Sequence, residues 1–224
     1  MNYANSHVCG EKSKKYFGKR VYCEEAISTG QENRRPGANV HAMKIRKNSK
    51  LVMVGDSITD AGRAQPVGEG MGEALGRGYV ALVDALLGAS YPELGIRVVN
   101  MGTSGNTVRD LKARWQRDAL DLKPDWLSIM IGINDVWRQF DSPRQPEIAV
   151  PLQEYAQTLE ALVARALPTV QGLVLMTPFY IEPNRSDAMR ARMDEYGLAV
   201  KQLAEKHGTL FVDTQAAFDA VLAH

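Results

Sequence analysis

Cysteine is almost missing from this chain. Cys9 and Cys23 are the two present, and everything after Cys23 is free of it. No disulfide frame can therefore support the body of the protein, and two cysteines without a CxxC pair do not form a zinc site. Histidine is nearly as rare: His7, His41, His207 and His224. No group of ligating residues has metal-site spacing, and no metal is expected. There is no run approaching 18 apolar residues and no apolar segment of signal-peptide length, so we expect a soluble, cytoplasmic protein. No repeat and no low-complexity tract appears. Net charge is only +1, so nothing in the overall balance draws the chain to nucleic acid or to a membrane.

The charge is unevenly spread. Residues 1–50 hold 11 Lys/Arg against 4 Asp/Glu, a net of +7, and residues 51–224 hold 16 against 22, a net of −6. Residues 1–43 are basic, polar and aperiodic, ending in the breaker-rich ENRRPGANVHA, and are expected to be a disordered leader. The alternative, a basic RNA- or membrane-binding tail, lacks interleaved aromatic residues. Residues 44–224 are expected to form one domain.

From Lys50 the pattern is regular. KLVMVG, IRVVNMG, WLSIMIG, GLVLMTP and TLFVDT read as five short buried strands. Between them lie helical stretches: YVALVDALLGA, VRDLKARWQRDAL with Asn106-Thr107 as its cap, LQEYAQTLEALVARAL and DAMRARMDEYGLAVKQLAEKHG. QAAFDAVLAH begins a last one. Apolar strands alternating with amphipathic helices indicate an α/β protein, a flavodoxin-like three-layer sandwich with helices on both faces of a parallel sheet in the order 2-1-3-4-5.

In such a sheet ligands bind beyond the carboxyl ends of the strands, near the switch in strand order. The residues at those positions are not core material. Asp56 and Ser57 follow strand one, NMGTSGNT follows strand two, and the GIND loop follows strand three. Together they suit acyl transfer. Ser57 is the candidate nucleophile. Its backbone N–H, the N–H of Gly105 and the side-chain amide of Asn134 are candidate oxyanion donors. An amide donates without titrating, and a glycine lets its N–H approach a substrate. Asp56 and Asp135 read as loop-organising carboxylates. Asp56 and Trp137, which follows the GIND block, are also candidate substrate contacts, while Trp126 reads as packing.

Gly55-Asp56-Ser57, Gly105 and Gly132-Ile133-Asn134-Asp135 match, in order, the first three motif blocks of the SGNH hydrolases, also called the GDSL esterase/lipase family. The likeness runs from residue 44 to the end. GDSITDAGRA, YPELGIRVVN, SGNTVRDLKARW, KPDWLSIMIGINDVWRQ, LMTPFYIE and LFVDTQAAF are similar to the intracellular acetylxylan esterases within it. The resemblance implies a cofactor-free serine esterase that removes acetyl groups from xylose units of short xylan fragments, with a small acetylated saccharide as its partner. Self-association is left open.

A serine needs a base, and the family carries it in a late Asp-x-x-His motif. None of the four histidines stands three residues after an aspartate. His207 reads as a helix C-terminal residue, and the resemblance places Asp213, which follows strand five, in a structural VDTQ turn. The resemblance therefore implies that the triad Asp and His are absent here and that this chain is truncated relative to those esterases, with doubtful activity. Two readings stay open: a carbohydrate esterase, and a catalytically silent SGNH-like module that binds a saccharide or another partner. A nucleotide-binding protein is disfavoured, because GEGMGEALGRG fits neither G-x-G-x-x-G after a strand nor a P-loop.

Overall fold

The computed structural model describes residues 44–223. The expected leader, both cysteines, His7, His41 and His224 lie outside that range. Five strands, β1 (Lys50–Gly55), β2 (Arg97–Gly102), β3 (Trp126–Met130), β4 (Gly172–Met176) and β5 (Leu210–Val212), form one parallel sheet in the order β2-β1-β3-β4-β5. This is the order and the class that the alternating pattern indicates. Among the described residues seven α-helices surround it: α1 (Ser57–Asp60), α2 (Tyr79–Ser90), α3 (Val108–Trp115), α4 (Ile133–Asp141), α5 (Leu152–Ala166), α6 (Ala188–His207) and α7 (Thr214–Leu222). A π-helical turn, Gln116–Leu120, continues α3.

The two faces of the sheet carry different loads. Because successive strand residues point to opposite faces, Val52, Val54, Val99, Leu127, Ile129, Leu173 and Leu175 enter one core. They meet Leu111 and Trp115 of α3, Leu159 and Leu162 of α5, and Met193, Tyr196 and Val200 of α6. On the other face Leu51, Met53, Val98 and Trp126 pack with Val80 of α2 in a smaller cluster. That face thins toward β5, where Leu210 and Val212 are exposed. No helix among the described residues is long and apolar enough to cross a membrane.

The glycine-rich segment ahead of α2 has a structural use. Gly68 pairs with Asn100 as an isolated antiparallel bridge, with N···O distances of 3.2 and 2.7 Å. The segment thereby covers the open edge of β2, which would otherwise offer unpaired backbone groups.

Register is what positions the site. Gly55 pairs with Gly102 on one side and Met130 on the other, so β1, β2 and β3 end level. Gly55 is a glycine because the backbone is crowded there: a Cβ would lie 2.2 Å from Thr59 Oγ1 and 2.3 Å from the Met130 carbonyl oxygen. The three connections that follow emerge side by side.

Candidate active site

Ser57 is exposed and is the first residue of α1. The helix is capped by Asp56, whose Oδ1 accepts from the Ile58 N–H at 3.0 Å. Capping uses a helix-end donor that would otherwise lack a partner. It leaves the Ser57 N–H with no acceptor among the described residues.

The loop after β2 is tied to this turn at several points. The Thr103 N–H donates to the Gly55 carbonyl at 3.0 Å. Asp60 Oδ2 accepts from the Ser104 N–H at 3.0 Å and from Ser104 Oγ at 2.7 Å. Gly105 follows with φ +80° and open space where a Cβ would stand. Its N–H also lacks an acceptor among the described residues. Thr107 then caps α3 in a reciprocal box with Asp110.

The third connection differs from the loop the sequence led us to expect. Gly132-Ile133-Asn134-Asp135 opens α4, with Gly132 as the residue before its first turn. Asn134 is therefore a helical residue on a rigid element. Its Nδ2 donates to the Asn106 carbonyl at 2.9 Å. A carbonyl can only accept, so this bond fixes which end of the amide is nitrogen and leaves its second N–H available. Ser104 is thus fastened to Asp60, three residues beyond Ser57, while Asn106 is fastened to Asn134. Gly105 lies between the two fastenings. Ser57, Gly105 and Asn134 thus stand on three neighbouring connections, the second tied to the first through Ser104 and Asp60 and to the third through Asn106.

Two carboxylates lie beneath. Asp56 is 1% exposed and Asp135 is fully buried. Asp135 receives the Val108 N–H at 3.0 and 3.2 Å on its two oxygens, holding the start of α3 against α4. Asp56, a candidate substrate contact from the sequence, shapes the serine turn. Burial pushes Asp56 up to about 6 and Asp135 up to about 7, against hydrogen bonds that pull the other way. Folded-state values above the unfolded value of 3.8 mean that the folded protein keeps protons the unfolded chain releases. Stability from these groups is fully present below pH 3.8 and is lost as pH rises to about 7. Asn in place of Asp135 retains an acceptor for Val108. Asp135→Asn should therefore gain on the wild type by about 2–3 kcal/mol between pH 5 and pH 8 in urea unfolding. A gap that stays constant over that range would refute the assignment.

Trp137, a turn after Asn134, is 47% exposed, with the Arg138 guanidinium 5.6 Å from its ring centroid. A cavity of about 390 Å³ opens at Gly105 and is lined by Thr107, Arg109, Asp110, Arg138 and Ile148. Arg109 there is held by both Glu154 oxygens, at 2.5 and 2.6 Å. Trp126 is buried packing, as expected.

His207 ends α6, with Gly208 in the left-handed region as its cap, and its Nε2 is 3.4 Å from Glu160 Oε1. A helix that runs back between parallel strands ends at their amino edge, opposite Ser57. His207 is thus a helix-end residue and no partner of the serine. Asp213 caps α7, its Oδ1 accepting the Ala216 N–H at 2.9 Å, in the structural turn anticipated for it. Among the described residues no group of three or more His, Cys, Asp or Glu is placed to hold a metal. Sequence reasoning missed Asp60 and Arg114 and took Asn106 only as part of the α3 cap, which Thr107 supplies; all three hold the loops.

Residues 53–223 match the model of the GDSL-like lipase/acylhydrolase family. An acetylxylan esterase of Geobacillus stearothermophilus is 64% identical over 180 residues, 80% of this chain and 82% of its own. The crystal structure of Axe2, an acetylxylan esterase of that organism, superposes with a TM-score of 0.80 over 81% of this chain and 83% of that one. Catalytic mutants of Axe2 with a serine, an aspartate or a histidine replaced by alanine are among the solved structures. LAE5, an alpha/beta hydrolase from the metagenome of Lake Arreo, is 58% identical, with a TM-score of 0.80 over 82% of this chain and 84% of its own.

Proposed function

The chain belongs to the GDSL-like lipase/acylhydrolase family and is a carboxylic ester hydrolase of the acetylxylan esterase kind, and from that premise we propose that it deacetylates xylose units of short xylan fragments through an acyl-enzyme on Ser57. The observation that carries the reading is the set of three unengaged donors, the Ser57 N–H, the Gly105 N–H and the second Asn134 N–H, beside an exposed serine at level strand ends. Ser57 Oγ attacks the acetyl carbonyl carbon, and the oxygen gains negative charge toward those donors. Collapse breaks the bond to the sugar oxygen, which leaves as a hydroxyl with the proton given up by Ser57, and the acetyl-Ser57 that remains is hydrolysed by water to acetate and free Ser57. Donors already oriented for the developing charge need no reorganisation during reaction.

The Ser57 proton needs an acceptor. His207, the one histidine among the described residues, lies at the wrong edge of the sheet. A histidine oriented by an aspartate would supply it, the residue types replaced alongside the serine in the catalytic mutants of Axe2. We keep the cytoplasmic location that accompanies the likeness to intracellular acetylxylan esterases, which suits short fragments better than polymeric xylan. No observation favours the catalytically silent module.

The test is release of acetate from acetylated xylo-oligosaccharides and from an aryl acetate, with a Ser57→Ala control. Ser57-dependent release from the sugar, faster than from a longer-chain aryl ester, is expected. Turnover of long acyl esters with none of the acetylated sugar would overturn the substrate assignment.

A further inference from the structure

Arg114 takes no part in the chemistry described so far, yet it is a buried cation directly beneath it. It lies in the last turn of α3 and is 8% exposed. Its Nη2 donates to the Gly55 carbonyl at 2.8 Å, and its Nη1 donates to the Met101 carbonyl at 2.7 Å and to Asp118 Oδ2 at 3.2 Å. Its Nε donates to Asn106 Oδ1 at 2.6 Å. One planar group therefore grips the ends of β1 and β2 and, from that fixed base, the side chain of Asn106.

The burial has a local compensation. Asp118 sits one turn further on, in the π-helical segment, and is itself held by Arg117 at 2.5 and 2.9 Å. A buried charge is tolerable when it is paired and its remaining donors are used. Stability alone would be served as well by an apolar residue at this depth. What an apolar residue could not supply is a directed fork reaching three backbone segments at once.

Those segments are the ones that carry the donors. Gly55 is two residues before Ser57, and Asn106 immediately follows Gly105. The Asn106 carbonyl is also the acceptor that orients the Asn134 amide. Resting on the esterase reading above, we propose that Arg114 is the positioning residue of the oxyanion site: through Asn106 it sets the Gly105 N–H and the Asn134 amide at one geometry relative to Ser57. Lysine carries three donors on one flexible nitrogen but no planar fork, so it cannot hold both carbonyls and Asn106 from one fixed plane.

The experiment uses the full chain with two substitutions, Arg114→Lys and Asn106→Ala, each also combined with Asn134→Ala. The second variant leaves the buried guanidinium in place should the first fail to fold. Both kcat and KM on an aryl acetate are measured per folded molecule, with melting temperature alongside. Each single variant should lose about 10- to 100-fold in kcat, the scale of a misplaced or weakened oxyanion donor, with KM changed less than about threefold. In the Asn134→Ala background the same substitutions should cost less than about fivefold, because residues acting as a unit are non-additive. Unchanged kcat with only a lower melting temperature would overturn the proposal, and so would losses that simply multiply. Hydrolysis that survives Ser57→Ala in the otherwise unaltered chain would instead overturn the esterase reading on which the proposal rests.

Discussion

Ser57→Ala is expected to lower kcat/KM on acetyl esters by about 10⁴- to 10⁶-fold, the scale of losing a triad nucleophile, while melting temperature stays within a few degrees. Ser57 is exposed, and the cap of its helix is Asp56 rather than its own hydroxyl. Removing one oxygen there leaves the folded state nearly unchanged, so a loss of rate reports on chemistry. Residual turnover of roughly 10³ to 10⁴ over water can persist from the oxyanion donors and binding. His207→Ala is the companion measurement. Its imidazole faces Glu160 at the amino edge of the sheet, so the rate per folded molecule should stay within about twofold of the parent. A drop comparable to that of Ser57→Ala would make His207 the base and would contradict the placement of the site.

The next largest effect should come from Asn134→Ala, about 10²- to 10³-fold in kcat with KM little altered, as for the loss of one oxyanion donor. The amide is buried and aimed by the Asn106 carbonyl, so its second hydrogen is available where charge develops. Asn134→Asp should be at least as damaging. A carboxylate cannot donate, and it adds negative charge both to the Asn106 carbonyl and to the nascent oxyanion. An interaction made only in the transition state lowers kcat and kcat/KM together. Equal ground-state affinity and a slow chemical step would therefore mark Asn134 as a donor to the transition state. A rise in KM with kcat intact would mark it as a substrate-binding residue.

Much of this site could be read without coordinates because its markers are local. A strand of five or six apolar residues that stops at a glycine and is followed by Asp56 and Ser57 announces both the strand and its functional end. The same holds for Gly105 after β2 and Asn134 after β3. Each depends on neighbours within a few residues, and the likeness of the motif blocks to GDSL-type enzymes adds order and spacing. His207 was likewise legible as a helix-end residue, since caps are short-range, whereas the resemblance gave Asp213 only as part of a structural turn. The start of α4 was not. Asn134 and Asp135 resemble loop residues by composition, and they are helical because Gly132 opens the turn and Val136 enters the core.

The amino-acid order by itself thus determined the α/β class and the strand ends, and singled out the candidate serine and its candidate donors, because periodicity and turn chemistry act over short stretches of chain. Only the tertiary structure decided what those residues meet. Asp60 reaches Ser104 across 44 positions, Asn134 reaches Asn106 across 28, and Arg114 reaches Gly55 across 59. Such bonds exist because β1 lies between β2 and β3 with their ends level. The burial that raises Asp56 and Asp135 has the same origin. Long-range partners are set by which strands become neighbours and in what register, and no short window of sequence contains that information.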